Sequence, residues 1–165
     1  MLCAIVPLNH SSAADAKVYF SPDGGAQDAV VGEINQAKSE ILLQAYSFTS
    51  APIAQALVNA HKRGVTITAI LDKSNEKAKY SAATFLLNAG IPVYIDYRPA
   101  IAHSKIMIID RATIITGSFN FTKAAEHNNA ENLLVLKKDP QLVARYLQNF
   151  NNRLSLSRPS LSRQQ

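Results

Sequence analysis

Ala102-His103-Ser104-Lys105-Ile106-Met107-Ile108-Ile109-Asp110, followed after Arg111 and Ala112 by Thr113-Ile114-Ile115-Thr116-Gly117-Ser118-Phe119-Asn120, is the stretch on which the fold and chemistry of this chain turn. Lys105 to Ile109 and Thr113 to Thr116 are rich in β-branched residues and read as two strands joined through Asp110-Arg111-Ala112. Side chains at i and i+2 of a strand share a face, so His103 and Lys105 point one way while Ser104 and Ile106 point the other. A nucleophile or proton carrier thereby stands beside a fixed cation. The second strand ends in Gly117-Ser118-x-Asn120, another i, i+2 pair of polar groups, with Gly117 open to close approach of a ligand. Paired as a hairpin, the two strands gather an imidazole, an ammonium, a hydroxyl and a carboxamide. That set suits a tetrahedral oxyanion: Lys105, Ser118 and Asn120 address its oxygens, and His103 attacks or transfers a proton. Asp110 has the opposite parity and lies at a strand end, which gives it a supporting ion-pair or turn role. Glu131 opens a further strand and is expected to accept a hydrogen bond from His103, setting its tautomer.

Outward from this stretch, β-branched runs alternate with segments of helical period. Val18-Tyr19-Phe20 reads as a strand and Ser21 to Gly25 as a turn; Ala29, Val30, Ile34 and Ala37 repeat at helical spacing. Ile41 to Ala45 is a strand, Ala51 to Arg63 a helix stopped by Gly64, and Val65 to Leu71 a strand buried on both faces. A helix over Ala78 to Ala89 ends at Gly90, and Pro92 to Ile95 is extended. Asn132 to Leu136 is a late strand, and Asp139-Pro140 opens a last helix to about Leu154. No internal repeat appears. The order predicts an α/β fold, a mixed β-sheet flanked by helices, parallel in its first half and hairpin-built in its second, with one domain per chain.

At 165 residues, 47% hydrophobic and 18% charged, the chain has material for one domain with a buried core and is not disordered as a whole. No stretch reaches the roughly 18 consecutive apolar residues of a membrane span. The one cysteine, Cys3, forms no internal disulfide and no Cys-rich zinc site. No His/Cys cluster or close carboxylate pair stands at metal-ligand spacing. Residues 1–16 read either as a leader, with a short apolar run broken by Pro7, or as a disordered N-terminus. Residues 17–153 form the expected domain, and residues 154–165 a Ser/Arg-containing tail expected to be disordered. The net charge of +5 fits a polyanionic partner. Three arginines without an acid lie in residues 151–165, leaving +2 for residues 1–150.

Other polar residues divide into two readings. Lys73, Lys77 and Lys79 follow a strand end, where loops rim the ligand crevice of an α/β sheet; they contact phosphates or form a solvated helix start. Arg98 is a candidate phosphate contact. His61 lies at a cationic helix end and is explained by the helix dipole. His127 reads as a loop residue near the groove, and His10 has no role. Tyr46 and Phe48 are candidates for stacking or packing, and Phe119 for packing.

The pattern His103-x-Lys105-x4-Asp110-x6-Gly117-Ser118-x-Asn120 is the HKD signature of the phospholipase D superfamily, six residue types over eighteen positions. With Gln44-Ala45-Tyr46-Ser47-Phe48-Thr49 and the run from Gly117 to Glu126, the chain from about Lys17 to Arg153 resembles the small bacterial Nuc-type endonucleases of that superfamily. The resemblance implies a metal-independent, sequence-nonspecific nuclease acting on DNA and perhaps RNA, with one His forming a phosphohistidine and a second protonating the leaving oxygen. Larger relatives carry two such motifs in one chain. A single motif implies a homodimer with His103 of both chains in one active site. The resemblance, with the short leader, also implies a periplasmic or secreted bacterial location, a cytoplasmic one being the alternative. A phospholipid phosphodiesterase of cardiolipin type is the alternative, and a nucleic-acid-binding module without catalysis the third reading.

Overall fold

The computed structural model describes residues 14–77 and 81–160. Its elements run β1 (Asp15–Ser21), α1 (Ala26–Gln36), β2 (Glu40–Ala45), α2 (Ala51–Lys62), β3 (Thr66–Asp72), α3 (Ser74–Lys77), α4 (Ala82–Asn88), β4 (Val93–Asp96), β5 (Lys105–Ile109), β6 (Thr113–Gly117), α5 (Lys123–His127), β7 (Glu131–Lys137), α6 (Pro140–Leu156) and β8 (Arg158–Pro159). The eight strands make one sheet in the order β1-β7-β6-β5-β2-β3-β4-β8. Strands β2, β3 and β4 are parallel, and every other pair is antiparallel. This is the expected mixed sheet: crossover helices α2 and α4 force parallel pairing, and the short Asp110–Ala112 connection permits only a hairpin.

Helix starts follow local chemistry. The Ser50 hydroxyl accepts from Ile53 N with Pro52 in the first turn, and the Asp139 carboxylate accepts from Leu142 N at 2.9 Å ahead of α6. Gly25, which precedes α1, has no side chain to cap it. The buried Glu126 carboxylate of α5 instead accepts from Gln27 N at 2.8 Å, tying α1 to the site end of the sheet. One face of the sheet buries Ile41, Leu43, Ile67, Ala69 and Met107 against α1, α2 and α4; the other buries Leu42, Ile70, Ile108 and Ile114 against Val143 and Phe150 of α6.

Several boundaries differ from the sequence expectation. Of the stretch read as a leader or disordered N-terminus, residues 1–13 lie outside the described residues, while Asp15 and Ala16 belong to β1, paired with Lys137 and Leu136. Backbone pairing with β7 carries the strand beyond its apolar run. The tail expected to be disordered from Leu154 is ordered to Ser160. Val143, Leu147, Phe150 and Leu154 keep one apolar stripe against the sheet, and Arg158–Pro159 pairs with the edge of β4, with Ser160 N donating to Val93 O at 2.8 Å. The helix expected over Ala78 to Ala89 begins at Ala82, because Ser81 caps Ala83 N at 3.2 Å. Residues 78–80, Lys79 among them, lie outside the described residues, as do His10 and residues 161–165 with Arg163.

Candidate active site

The carboxyl ends of β2, β3 and β4, the start of β5, the end of β6 and the start of β7 meet at one end of the sheet, where the antiparallel half returns the chain to the mouth of the parallel half. Lys105 is the first residue of β5, opposite Ala45, and is buried. His103 precedes the strand and is exposed. Lys105 Nζ donates to His103 O at 2.8 Å and lies 2.9 and 3.1 Å from the two ring nitrogens. The expected pairing of imidazole and ammonium is therefore present. Both ring nitrogens are thus within reach of the ammonium, and which of them accepts is set by the tautomer. Burial lowers the proton affinity of Lys105, and the charge of Glu131 opposes that shift.

Tyr46, just past β2, completes the setting. Its ring centroid lies 4.5 Å from that of His103 at 49°, and Lys105 Nζ lies 5.2 Å from it. Tyr46 N donates to Ser104 O at 2.9 Å. Asp72, buried at the end of β3, accepts from Ala102 N at 2.8 Å and Ser74 N at 2.9 Å, pinning the residue before His103. Burial alone would raise the Asp72 pKa; the N–H donors of Ser74 and Ala102 outweigh it and hold the carboxyl below its ordinary value. Sequence reading left Asp72 unassigned and Tyr46 undecided between stacking and packing. Strand parity near the motif was the signal, but only the register of β2 against β5 brings Tyr46 to His103.

The second strand departs from expectation. Strand pairing ends at Gly117, whose φ is 138°, and a Cβ there would lie 2.3 Å from Asn132 O. The close approach that Gly117 allows is thus that of Asn132 backbone rather than of a ligand. Ser118 Oγ accepts from Asn132 N at 3.0 Å and so supports the turn into β7. Asn120 follows buried Phe119, and its Oδ1 is buried without a partner among the described residues. Phe121 O accepts from Thr49 N at 3.0 Å and Ser50 N at 2.9 Å, holding the Asn120 turn against the loop after β2. Phe48 and Phe121 meet edge to face at 6.1 Å in the core, so Phe48 and Phe119 pack.

Glu131 opens β7, but its carboxylate accepts from Asn129 Nδ2 at 3.1 Å, and His103 is bonded to Lys105 instead. Its part in the site is the charge felt by Lys105. Asp110 stands at the far end of β5, in the turn to β6, and accepts from Lys38 N, Ser39 N and Glu40 N at 2.9, 2.8 and 3.0 Å. It clamps that turn to the start of β2, about 17 Å of strand away from the site. The expected supporting role takes this backbone-capping form. Lys73 Nζ lies 3.5 Å from Pro99 O, on a cleft of about 510 Å³ that reaches Tyr46 and Tyr97. Arg98 is exposed, and its backbone N–H donates to Asp96 at 3.1 Å. His127 ends α5, with its Nδ1 2.6 Å from Asp23, so it is a paired helix-end residue rather than a groove residue. His61 lies 3.4 Å from Val65 O. Among the described residues, no three His, Cys, Asp or Glu side chains gather as a metal site would, and no helix is long and apolar enough to cross a membrane.

Residues 30–154 match the family model described as cardiolipin synthase, PLD-like domain. The chain belongs to the phospholipase D superfamily. Within this superfamily of phosphodiesterases, it is 46% identical over 134 residues to a protein named Phospholipase D from Rickettsia felis, a match covering 81% of this chain and 66% of that one. It is 33% identical over 114 residues to the mitochondrial cardiolipin hydrolase of Homo sapiens, covering 69% of this chain and 45% of that protein. The solved structure of Nuc, a phospholipase D family member from Salmonella typhimurium, superposes with a TM-score of 0.86 at 39% identity, covering 90% of this chain and 99% of Nuc. NucT from Helicobacter pylori shares the fold, with a TM-score of 0.83 at 23% identity over 90% of this chain and all of that one.

Proposed function

We propose that this chain is a sequence-nonspecific endonuclease that hydrolyses DNA, and RNA by the same chemistry, without a metal, in a homodimer that brings two copies of His103 to one phosphate. The observation that carries the reading is the exposed His103 ring set against the buried ammonium of Lys105 at 2.9 Å, at the sheet end where Asn120 also lies. A phosphodiester placed there meets a nucleophile and a fixed cation together. The His103 lone pair forms a P–N bond as the P–O bond to the leaving nucleotide breaks. The leaving oxygen takes its proton from the second His103, and Lys105 and Asn120 hold the non-bridging oxygens. Water then attacks phosphorus, gives its proton to the second imidazole and breaks the P–N bond, restoring both rings. One chain supplies only one such histidine, which is why the reading requires two copies.

The likeness to Nuc over nearly the whole of both chains favours nucleic acid as substrate. The names of the rickettsial and mitochondrial relatives favour a lipid diester, the second reading. Incubating the protein in EDTA with plasmid DNA and, separately, with cardiolipin vesicles tests both. Nicking of the plasmid, lost in His103→Ala, is expected; intact plasmid alongside vesicle hydrolysis would replace the nuclease reading with the lipid one.

A further inference from the structure

On the α6 side of His103 lies a second depression of about 180 Å³, bordered by Gln44, Ser104, Asp96, Asn149 and Arg153, with Ile70 and Ile101 among its apolar walls. The proposed chemistry uses none of these groups. Gln44 is their anomaly. It sits at 5% exposure in the middle of the sheet, on the face that otherwise presents Leu42, Ile70 and Ile108, and its Oε1 has no hydrogen-bond partner among the described residues. A buried, unpaired amide oxygen costs stability that leucine at that position would not. Rotation about its last side-chain bond presents either donor or acceptor to an occupant of the depression. Asp96, 2% exposed, is engaged by Arg153, with Nε at 2.7 Å and an Nη on the same oxygen, and by Arg98 N. The local charge is therefore cancelled, while hydrogen-bonding capacity remains on the guanidinium, two carboxamides and the Ser104 hydroxyl.

These features define the occupant. A phosphate needs an unneutralised cation, and Arg153 is already paired. An acyl chain needs a lining that is apolar throughout, and here Gln44, Asn149 and Arg153 interrupt the apolar wall of Ala45, Ile70, Pro99, Ile101 and Ala102. A flat neutral ring with donors and acceptors on its edge satisfies both the polar walls and Ile70 and Ile101. We propose that this depression seats one unpaired nucleobase of the nucleotide flanking the phosphate attacked by His103, with Gln44, Asn149 and Arg153 hydrogen-bonding the edge of whichever base enters. The inference rests on the nuclease reading above and sharpens it: such a base must be unstacked and unpaired, so single-stranded nucleic acid is the favoured substrate, with a dependence on the presence of a base, not its identity, at one fixed offset from the cut.

The test uses a single-stranded oligonucleotide of mixed sequence and matched copies in which one base at a time is replaced by an abasic residue. Cleavage at each phosphate is measured under single-turnover conditions with the full chain. Loss of the base at one constant offset is expected to slow cutting at the corresponding phosphate by about tenfold or more, the scale of a lost stacked base. Gln44→Leu is expected to reduce that sensitivity to about threefold or less while raising Tm, because it removes an orphaned polar group. Asn149→Ala, at an exposed helix position, is expected to reduce it as well. Cutting that is indifferent to abasic position in the wild type, or full sensitivity retained in both variants, would overturn the base pocket and leave the nuclease standing. A wild type that cuts no oligonucleotide yet turns over bis(p-nitrophenyl) phosphate or cardiolipin vesicles would overturn both.

Discussion

Lys105 holds an ammonium in a nearly dry position at the head of β5, and burial pulls its proton affinity down against the charge of Glu131. A charge kept there at such cost belongs to whatever negative group the site receives. Lys105→Met retains the apolar stem and removes the charge. Turnover is expected to fall by about 10²- to 10³-fold, the scale of removing one oxyanion donor, with thermal stability equal or higher. Steady-state kinetics paired with calorimetry would show it, and undiminished kcat would place the phosphate elsewhere. Asp110 shows the opposite economy. Burial alone would raise its pKa, but the N–H donors of Glu40, Ser39 and Lys38 hold the carboxyl below its ordinary value. A group with a depressed folded-state pKa stabilises the fold above its unfolded pKa of about 4, and that stability is lost as pH falls through the folded value. Asp110→Asn should therefore be less stable than the wild type by about 1–2 kcal/mol at pH 7. In urea titrations the gap should close as pH falls below about 4. A constant gap down to pH 2 would mean that the carboxylate charge does not matter. The motif spacing made His103, Lys105 and Asn120 legible as a group. Strand parity and its place at the strand end separated Asp110 from them. Glu131 was misplaced because its hydrogen-bond partner, Asn129, comes from a turn whose path no residue pattern announces.

At the scale of elements, α6 and β8 do what the C-terminal composition hid. The Ser- and Arg-containing stretch from Leu154 reads as a tail, yet Leu154 continues the apolar stripe of α6, in which Phe150 is buried against Leu42, Ile70 and Ile108. Phe150→Ala should cost about 3–5 kcal/mol. Ending the chain after Leu156, which strips β8 from the β4 edge, should lower the urea midpoint by a smaller amount; equal midpoints for the wild type and this truncation would make β8 dispensable. The ion pair of Arg153 with Asp96 fastens the same helix to β4 beside the site. Helix and strand periods made α2 and the strands from β2 to β7 legible to within about a residue, while the start of α4 and the short helices α3 and α5, too brief to show a period, were not. The ends were not, because β1 and β8 are edge strands held by backbone pairing, and backbone hydrogen bonds leave little trace in side-chain pattern.

At the scale of the whole molecule, one histidine per chain makes the shared site a quantitative claim. If each active centre needs His103 from two chains, co-refolding wild type with a ninefold excess of His103→Ala leaves about one-tenth of wild-type chains with a competent partner. Activity per wild-type chain should fall to that fraction, in a sample whose mass by sedimentation is that of a dimer; activity that tracks total wild-type chain would show that one copy suffices. The net charge of +5 acquires a location at this scale too. Arg153 is neutralised by Asp96, Lys105 points at His103, and Lys73 stands on the cleft rim. The sequence by itself determined the mixed sheet and the pairing of His103 with Lys105, because strand parity and hydrophobic period are local properties of neighbouring residues. Only the tertiary structure decided that Tyr46 and Asp72 hold the His103 segment, that Ser118 serves a turn, and that Gln44, Asn149 and Arg153 surround a second depression. Apart from Asn149 and Arg153, one turn apart on α6, those groups lie on separate elements, and it is the sheet order and the packing of α6, not chain spacing, that bring them together.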